Sequence, residues 1–178
     1  QLLMNSLVGA ISSGCCAILK PAPETPETVK VIKKIIQETF LPEHVTMIEP
    51  TIEENAIVLQ KRYDIIFFTG SPRVGKIVAE AAAKHLTPTI LELGGKSPCI
   101  IDEEANIEIT AKRIVFGKLI NCGQTCIAPD YFYVHESKKD DLIQAIKKQI
   151  VSMYGQDLSK VAHYPRMIHE RAAERVVG

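Results

Sequence analysis

The chain has 178 residues, 46% of them hydrophobic and 24% charged, the balance of an ordinary globular protein of one domain or parts of two. Lys plus Arg and Asp plus Glu both number 21, so the net charge of +0 lacks the basic surplus of a dedicated nucleic-acid binder. The five cysteines (Cys15, Cys16, Cys99, Cys122 and Cys126) are odd in number and irregularly spaced, without a zinc-type Cys/His pattern, which argues against a metal site and for free, buried thiols in a reducing, cytoplasmic setting.

The first nineteen residues, QLLMNSLVGAISSGCCAIL, are apolar but broken by Asn5, Ser6, Ser12 and Ser13, and they lack a basic leader. They predict a buried helix running into a buried strand rather than a membrane span. Position 1 is not Met and a helical pattern is unfinished at Val177-Gly178, as in a piece of a longer chain. CAILK (16–20) reads as a strand and Pro21-Ala22-Pro23 as a loop. A helix follows with Thr25 as cap and Pro26 at its first position, its Val29, Ile32, Ile35, Ile36 and Phe40 on one face. VTMI (45–48) is a strand and IEENAIVLQ (52–60) a helix. IIFFT (65–69) is apolar throughout, as in a parallel sheet covered on both faces. Pro72 to Lys84 predicts a helix and TILEL (89–93) a strand.

After Gly94-Gly95 come a strand at CIID (99–102), a helix from Ile107 to about Asn121, a strand at YFYV (131–134) and an amphipathic helix from Lys138 to Met153. Alternating strands and helices define the α/β class with a parallel sheet, and a domain boundary falls near Gly94-Gly95.

Residues 67–76, FFTGSPRVGK, carry the G-x-x-x-x-G-K spacing of a nucleotide phosphate loop. A strand entering a helix through Gly70-Ser71 leaves free N–H groups that favour an anion. The phosphoryl-transfer version also needs Ser or Thr after the lysine, to hold magnesium, and here Ile77 follows Lys76. A dinucleotide pyrophosphate or a plain βα turn remains. There is no G-x-G-x-x-G.

NCGQTC (121–126) places Cys126 in a loop after a helix, where a thiol near free backbone donors can become a nucleophile. An inert thiol is the alternative, and Cys122 competes for the role. Glu92, in TILELGGK, would be costly to bury charged. Its pKa is raised, it is paired, or it stands at the exposed strand end; a raised pKa would suit a general base. Lys20 ends a strand, where ligand crevices of α/β sheets form, so it could hold a ribose or a phosphate, or simply be solvated.

Taken together and in this order, AAAKHLTPTILELGGKSPCIID and GQTCIAPDY resemble the aldehyde dehydrogenase family, nearest its class 3 and fatty-aldehyde branch, over about Val8 to Tyr154. The resemblance implies a Rossmann-like parallel-sheet cofactor domain at 1–93 and the start of an α/β catalytic domain at 94–178, hinged at Gly94-Gly95. It implies Cys126 as nucleophile, with Cys122 at a variable position, and Glu92 as the base that activates water. Gly70, Ser71, Pro72, Arg73, Val74 and Gly75 would hold the pyrophosphate of NAD or NADP, and Lys20 the adenosine ribose. The implied reaction takes medium or long aliphatic or aromatic aldehydes to acids through a thiohemiacetal and a thioester. A homodimer is implied, as is compatibility with a membrane-anchored form of the full-length protein.

Four features depart from the family pattern. Pro23 stands where K-P-x-E has its ribose-binding glutamate, with Glu24 one place late, which keeps NADP open. Pro165, in HYPRMIH, replaces a usual glycine. The family's oxyanion asparagine lies outside the chain and Asn5 does not match it. The nicotinamide-ribose glutamate is outside too. A truncated copy keeping the fold without turnover is the alternative.

Overall fold

The computed structural model describes residues 1–48 and 51–177. The chain divides into two compact units, Gln1–Leu93 and Gly94–Gly178.

The first unit runs α1 (Leu2–Ser12), β1 (Ala17–Leu19), α2 (Pro26–Thr39), β2 (Val45–Met47), α3 (Ile52–Leu59), β3 (Ile66–Thr69), α4 (Pro72–Ala83) and β4 (Thr89–Glu92). The second runs β5 (Ser97–Ile101), α5 (Ile107–Leu119), β6 (Pro129–Val134), α6 (Lys139–Tyr154) and α7 (Glu170–Val177), with short 3-10 turns at Glu136–Lys138 and Leu158–Lys160. Strands pair in parallel as β1–β2, β3–β4 and β5–β6. Each pair is a βαβ unit, with α2, α4 and α5 as the crossovers, so the protein is α/β. The described strands form three two-stranded parallel ladders, each joining strands one crossover apart.

In the first unit α1 and α2 cover one face of β1–β2. Leu7, Leu19, Ile36 and Val45 form the buried cluster, flanked by Leu3, Met4 and Ile11 of α1. Burying a side chain such as Ile36 contributes about 1.5–3 kcal/mol. The sequence predicts a buried α1, yet Leu7 is its one buried residue among those described, and Leu2 and Val8 are 61% and 65% exposed. The helix has apolar residues on more sides than the single stripe that β1–β2 can cover. Ile18 of β1 and Phe67 of β3 are likewise about half exposed, at 51% and 49%, so these strands are covered on one face and not on both. Thr25 does precede Pro26 at the start of α2, but its side chain makes no capping bond. Thr51 caps α3 instead, accepting from the Glu54 N–H at 3.2 Å.

In the second unit α5 packs on α6 over β5, with Ile101, Ala111, Ile114, Leu142 and Ala145 buried together. Asn106 caps α5, its Oδ1 accepting from the Ile109 N–H at 3.1 Å. Strand β6 begins at Pro129, ahead of the YFYV run. Among the described residues no helix is long and apolar enough to cross a membrane.

Candidate active site

Strands β3 and β4 run in register so that Thr69 lies opposite Glu92. The next residue, Gly70, donates its N–H to the Glu92 carbonyl at 3.0 Å. Within the first unit the ladder therefore brings the Gly70 turn and the Glu92 strand end together. The Glu92 side chain is exposed, so its charge reaches water from the strand end.

Helix α4 starts from this turn. Ser71 is its N-cap, with Oγ accepting from the Val74 N–H at 3.3 Å. Pro72 has no N–H, and the Gly75 N–H donates to the Ser71 carbonyl at 2.9 Å. Of the donors at this helix start, those of Ser71 and Arg73 keep no intramolecular partner among the described residues. The first turn carries no acid, and the Arg73 side chain is exposed beside it. This is a donor set and charge for one anionic oxygen group at the positive end of a helix. Gly75 serves differently: it is buried, and a Cβ there would stand 2.7 Å from Leu93 Cδ2, so its lack of a side chain lets α4 lie close to the end of β4.

Lys20 follows β1 and is half-buried, its Nζ donating to the Pro21 carbonyl at 3.5 Å. Burial pulls the Lys20 pKa below its ordinary value, while the charge of Glu24 acts in the opposite direction. Glu24 is thus close enough to Lys20 to influence it electrostatically, although Pro23 occupies the position before it.

In the second unit the cysteine loop consists of two successive turns. In the first, Gln124 N–H donates to the Asn121 carbonyl at 2.9 Å, with Cys122 (φ 52°) and Gly123 (φ 74°) at the corners. Two left-handed corners make a type I′ geometry, and the non-glycine one costs roughly 1–2 kcal/mol. In the second, Ala128 N–H donates to the Thr125 carbonyl at 3.0 Å, and Cys126 and Ile127 form the corners. The Cys126 side chain is consequently exposed, as are Cys15 and Cys16, whereas Cys122 and Cys99 are partly covered. The thiols are free but not buried as the sequence suggests, because loops and turns leave all but Cys99 outside the packed clusters. The Tyr164 pKa is pushed up to about 12, first by burial and then by the neighbouring Cys122 thiol. Tyr164 stands edge-on to Tyr154 at 5.0 Å between ring centres. Arg166 holds the surrounding segment, its guanidinium donating to the carbonyls of Tyr164 at 2.7 Å and Ser159 at 2.9 Å. Pro165 lies inside that clamp. Cys99, in β5, packs against the core, and burial pushes its thiol pKa up.

Two residues have a different place in the structure from the one the sequence suggests. In the sequence Glu24 is only a displaced neighbour of Pro23, whereas in the structure its charge acts on Lys20. The sequence marks Gly95 only as part of a hinge, yet its backbone lies against the Cys126 carbonyl. The doubled glycine of ELGGK was the available signal, since a glycine often marks close approach of another backbone. Among the described residues no group of three or more His, Cys, Asp or Glu could hold a metal ion. A depression of about 430 Å³ between α5 and α6, lined by Ile109, Lys112, Arg113, Phe116 and Met153, contains none of the candidate site residues.

The aldehyde dehydrogenase family model matches residues 1–178, and the chain belongs to that family. Among its relatives, the 4,4'-diaponeurosporen-aldehyde dehydrogenase of Staphylococcus aureus is 48% identical over 178 residues, covering 100% of this chain and 39% of its own length. Aldehyde dehydrogenase family 3 member A2 of Macaca fascicularis is 42% identical over 177 residues, 99% of this chain and 36% of its own. The structure of Staphylococcus aureus AldH in a substrate-bound state superposes with a TM-score of 0.89 at 47% identity, over 99% of this chain and 38% of that one. The chain thus spans under two-fifths of the length of the proteins it matches.

Proposed function

We propose that the protein carrying this chain oxidises aldehydes to carboxylic acids with NAD or NADP, using Cys126 as nucleophile and Glu92 as general base. The observation that carries the reading is the solvent-open Cys126 at a turn corner, within a chain matched by the family from end to end. Residues 1–93 serve the dinucleotide and 94–178 begin the catalytic domain.

The helix start at α4 fits one phosphate: two N–H donors remain, no acid opposes them, and Arg73 adds a cation. The N–H groups of Ser71 and Arg73 would hold a pyrophosphate oxygen, with Pro72, Val74 and Gly75 shaping the turn that begins at Gly70. Lys20 would donate to the adenosine ribose and Glu24 would accept from it. The bound dinucleotide supplies the hydride acceptor; within the family both NAD and NADP are used.

The chain's own chemistry is addition and release. Cys126 Sγ, as thiolate, forms a C–S bond to the aldehyde carbon, and the carbonyl π pair moves to oxygen. With the dinucleotide bound as two-electron acceptor, loss of hydride to it from that alkoxide carbon would leave a thioester on Cys126. Glu92 removes a proton from water as it adds to the thioester; the C–S bond breaks, the acid leaves and the thiolate returns. The substrates are medium or long aliphatic or aromatic aldehydes and the working form is a homodimer. Five free cysteines fit a reducing compartment, and we place the protein in the cytoplasm.

The test is NAD(P)H formation by the full-length protein across a series of aldehydes of increasing chain length. Cys126→Ser should abolish it and Cys122→Ser should leave it. Turnover that survives in the Cys126 variant would remove the nucleophile assignment.

A further inference from the structure

We propose that Gly95 is a positioning residue for Cys126, its missing side chain being the space that the Cys126 carbonyl occupies. The inference rests on the reading of Cys126 as the nucleophile and adds the device that aims it.

Strands β5 and β6 pair in parallel from Ser97 opposite Pro129, with an irregularity between Ser97 and Pro98. Followed back beyond the ladder, the same register brings the GGK segment alongside the turn at Thr125–Ala128. A Cβ built on Gly95 would fall inside the contact distance of the Cys126 carbonyl oxygen. The obstacle is backbone, so no rotamer change relieves it. Gly95 has no left-handed φ, so the glycine is there for space and not for conformation. Its neighbour Gly94 is the built-in control, since a Cβ at that position meets nothing within 4 Å.

The consequence concerns the thiol. Cys126 sits at a turn corner whose closing backbone bond, Ala128 N–H to the Thr125 carbonyl, fixes the ends of the turn and not the rotation of the peptide between Cys126 and Ile127. The flat backbone of Gly95 sets how that carbonyl can lie, and with it the direction of the Cα–Cβ bond carrying Sγ. A side chain at Gly95 would turn the peptide and swing the thiol. A misplacement on the order of 1 Å lowers catalysis about 100-fold.

Gly94→Ala and Gly95→Ala variants of the full-length protein test this, each compared with wild type for kcat, aldehyde KM, cofactor Kd and the rate of Cys126 alkylation by iodoacetamide, read by peptide mass spectrometry. Gly94→Ala should match wild type. Gly95→Ala should keep cofactor Kd, lose about 10- to 100-fold in kcat, and shift the pH profile of Cys126 alkylation. If Gly95→Ala does not fold, adding Ile127→Gly frees the peptide after Cys126; the double variant should then fold and still lack turnover relative to Ile127→Gly alone. Wild-type kcat and alkylation in Gly95→Ala, or recovery of kcat to the Ile127→Gly level in the double variant, would overturn the proposal. A Cys126→Ala enzyme that still turns over would instead overturn the nucleophile reading beneath it.

Discussion

The backbone N–H of Gly70 and the carbonyl of Glu92 share a hydrogen bond of 3.0 Å, one step beyond the register pair Thr69–Glu92. The turn that opens α4, the proposed anion site, is therefore laced to the strand end that carries the proposed base. The bond uses only the Glu92 backbone, and its side chain is exposed.

Glu92→Gln should for that reason change chemistry and not fold. Its stability should stay within about 0.5 kcal/mol of wild type, as for surface substitutions elsewhere. A base needed only for thioester hydrolysis leaves hydride transfer intact. Stopped-flow absorbance should show a burst of NAD(P)H near one per subunit followed by a steady state reduced about 10²- to 10⁴-fold. Loss of the burst together with the steady state would place Glu92 at an earlier step.

Ser71 caps α4 and is proposed to hold an anion, and two substitutions split the two roles. Ser71→Ala removes the acceptor of the Val74 N–H and should cost about 1 kcal/mol in denaturant unfolding. Ser71→Asp can still cap the helix, so stability should hold, but it sets a carboxylate where a phosphate is proposed. Cofactor affinity should fall further in the Asp variant than in the Ala variant. Equal affinity in the two would argue that no anion binds at this helix start.

Gly75 and Leu93 form a second pair open to test. An added Cβ would stand 2.7 Å from Leu93 Cδ2, an overpacking that typically costs about 1–3 kcal/mol. Because the obstacle is the tip of a flexible side chain, Gly75→Ala combined with Leu93→Ala should lose less than the two single losses added together. A double-mutant cycle in urea measures the coupling. Additive losses would mean that Gly75 does not serve this contact.

Much of the fold was legible because periodicity reports the structure locally. The stripe Val29, Ile32 and Ile36 predicts α2, the alternation of strand and helix predicts parallel pairing, and both α/β class and family are written in contiguous stretches. What was not legible depends on contacts between distant segments. No local pattern tells that α1 leaves Leu2 and Val8 uncovered, that Cys122 takes a left-handed φ, or that Gly95 meets the Cys126 carbonyl. Arg166 reads as one more charged residue until its donors are found on the carbonyls of Tyr164 and Ser159. The Ser71 cap lies between these cases, since a Ser-Pro pair before an apolar-periodic run names both the cap and the first helical position.

The alkaline limb of stability should have two opposing parts, set by Lys20 and Tyr164. Burial lowers the Lys20 pKa, so as pH rises the folded state releases that proton before the unfolded chain does. The unfolded chain then binds more protons, and stability rises through the window between the lowered value and the ordinary 10.5. Tyr164 behaves in the reverse sense. Its pKa of about 12 exceeds the ordinary 10.0, so its contribution is complete below 10.0 and is lost as pH climbs through about 12. Denaturation midpoints measured from neutral to strongly alkaline pH should therefore flatten on the rising side in Lys20→Met and on the falling side in Tyr164→Phe. Tyr164→Phe also removes the hydroxyl neighbouring the Cys122 thiol, so iodoacetamide should label Cys122 faster in that variant while its rate at Cys126 stays the same. A Tyr164→Phe profile that still falls as steeply as wild type, with unchanged Cys122 labelling, would show that this tyrosine neither holds its proton late nor restrains the neighbouring thiol.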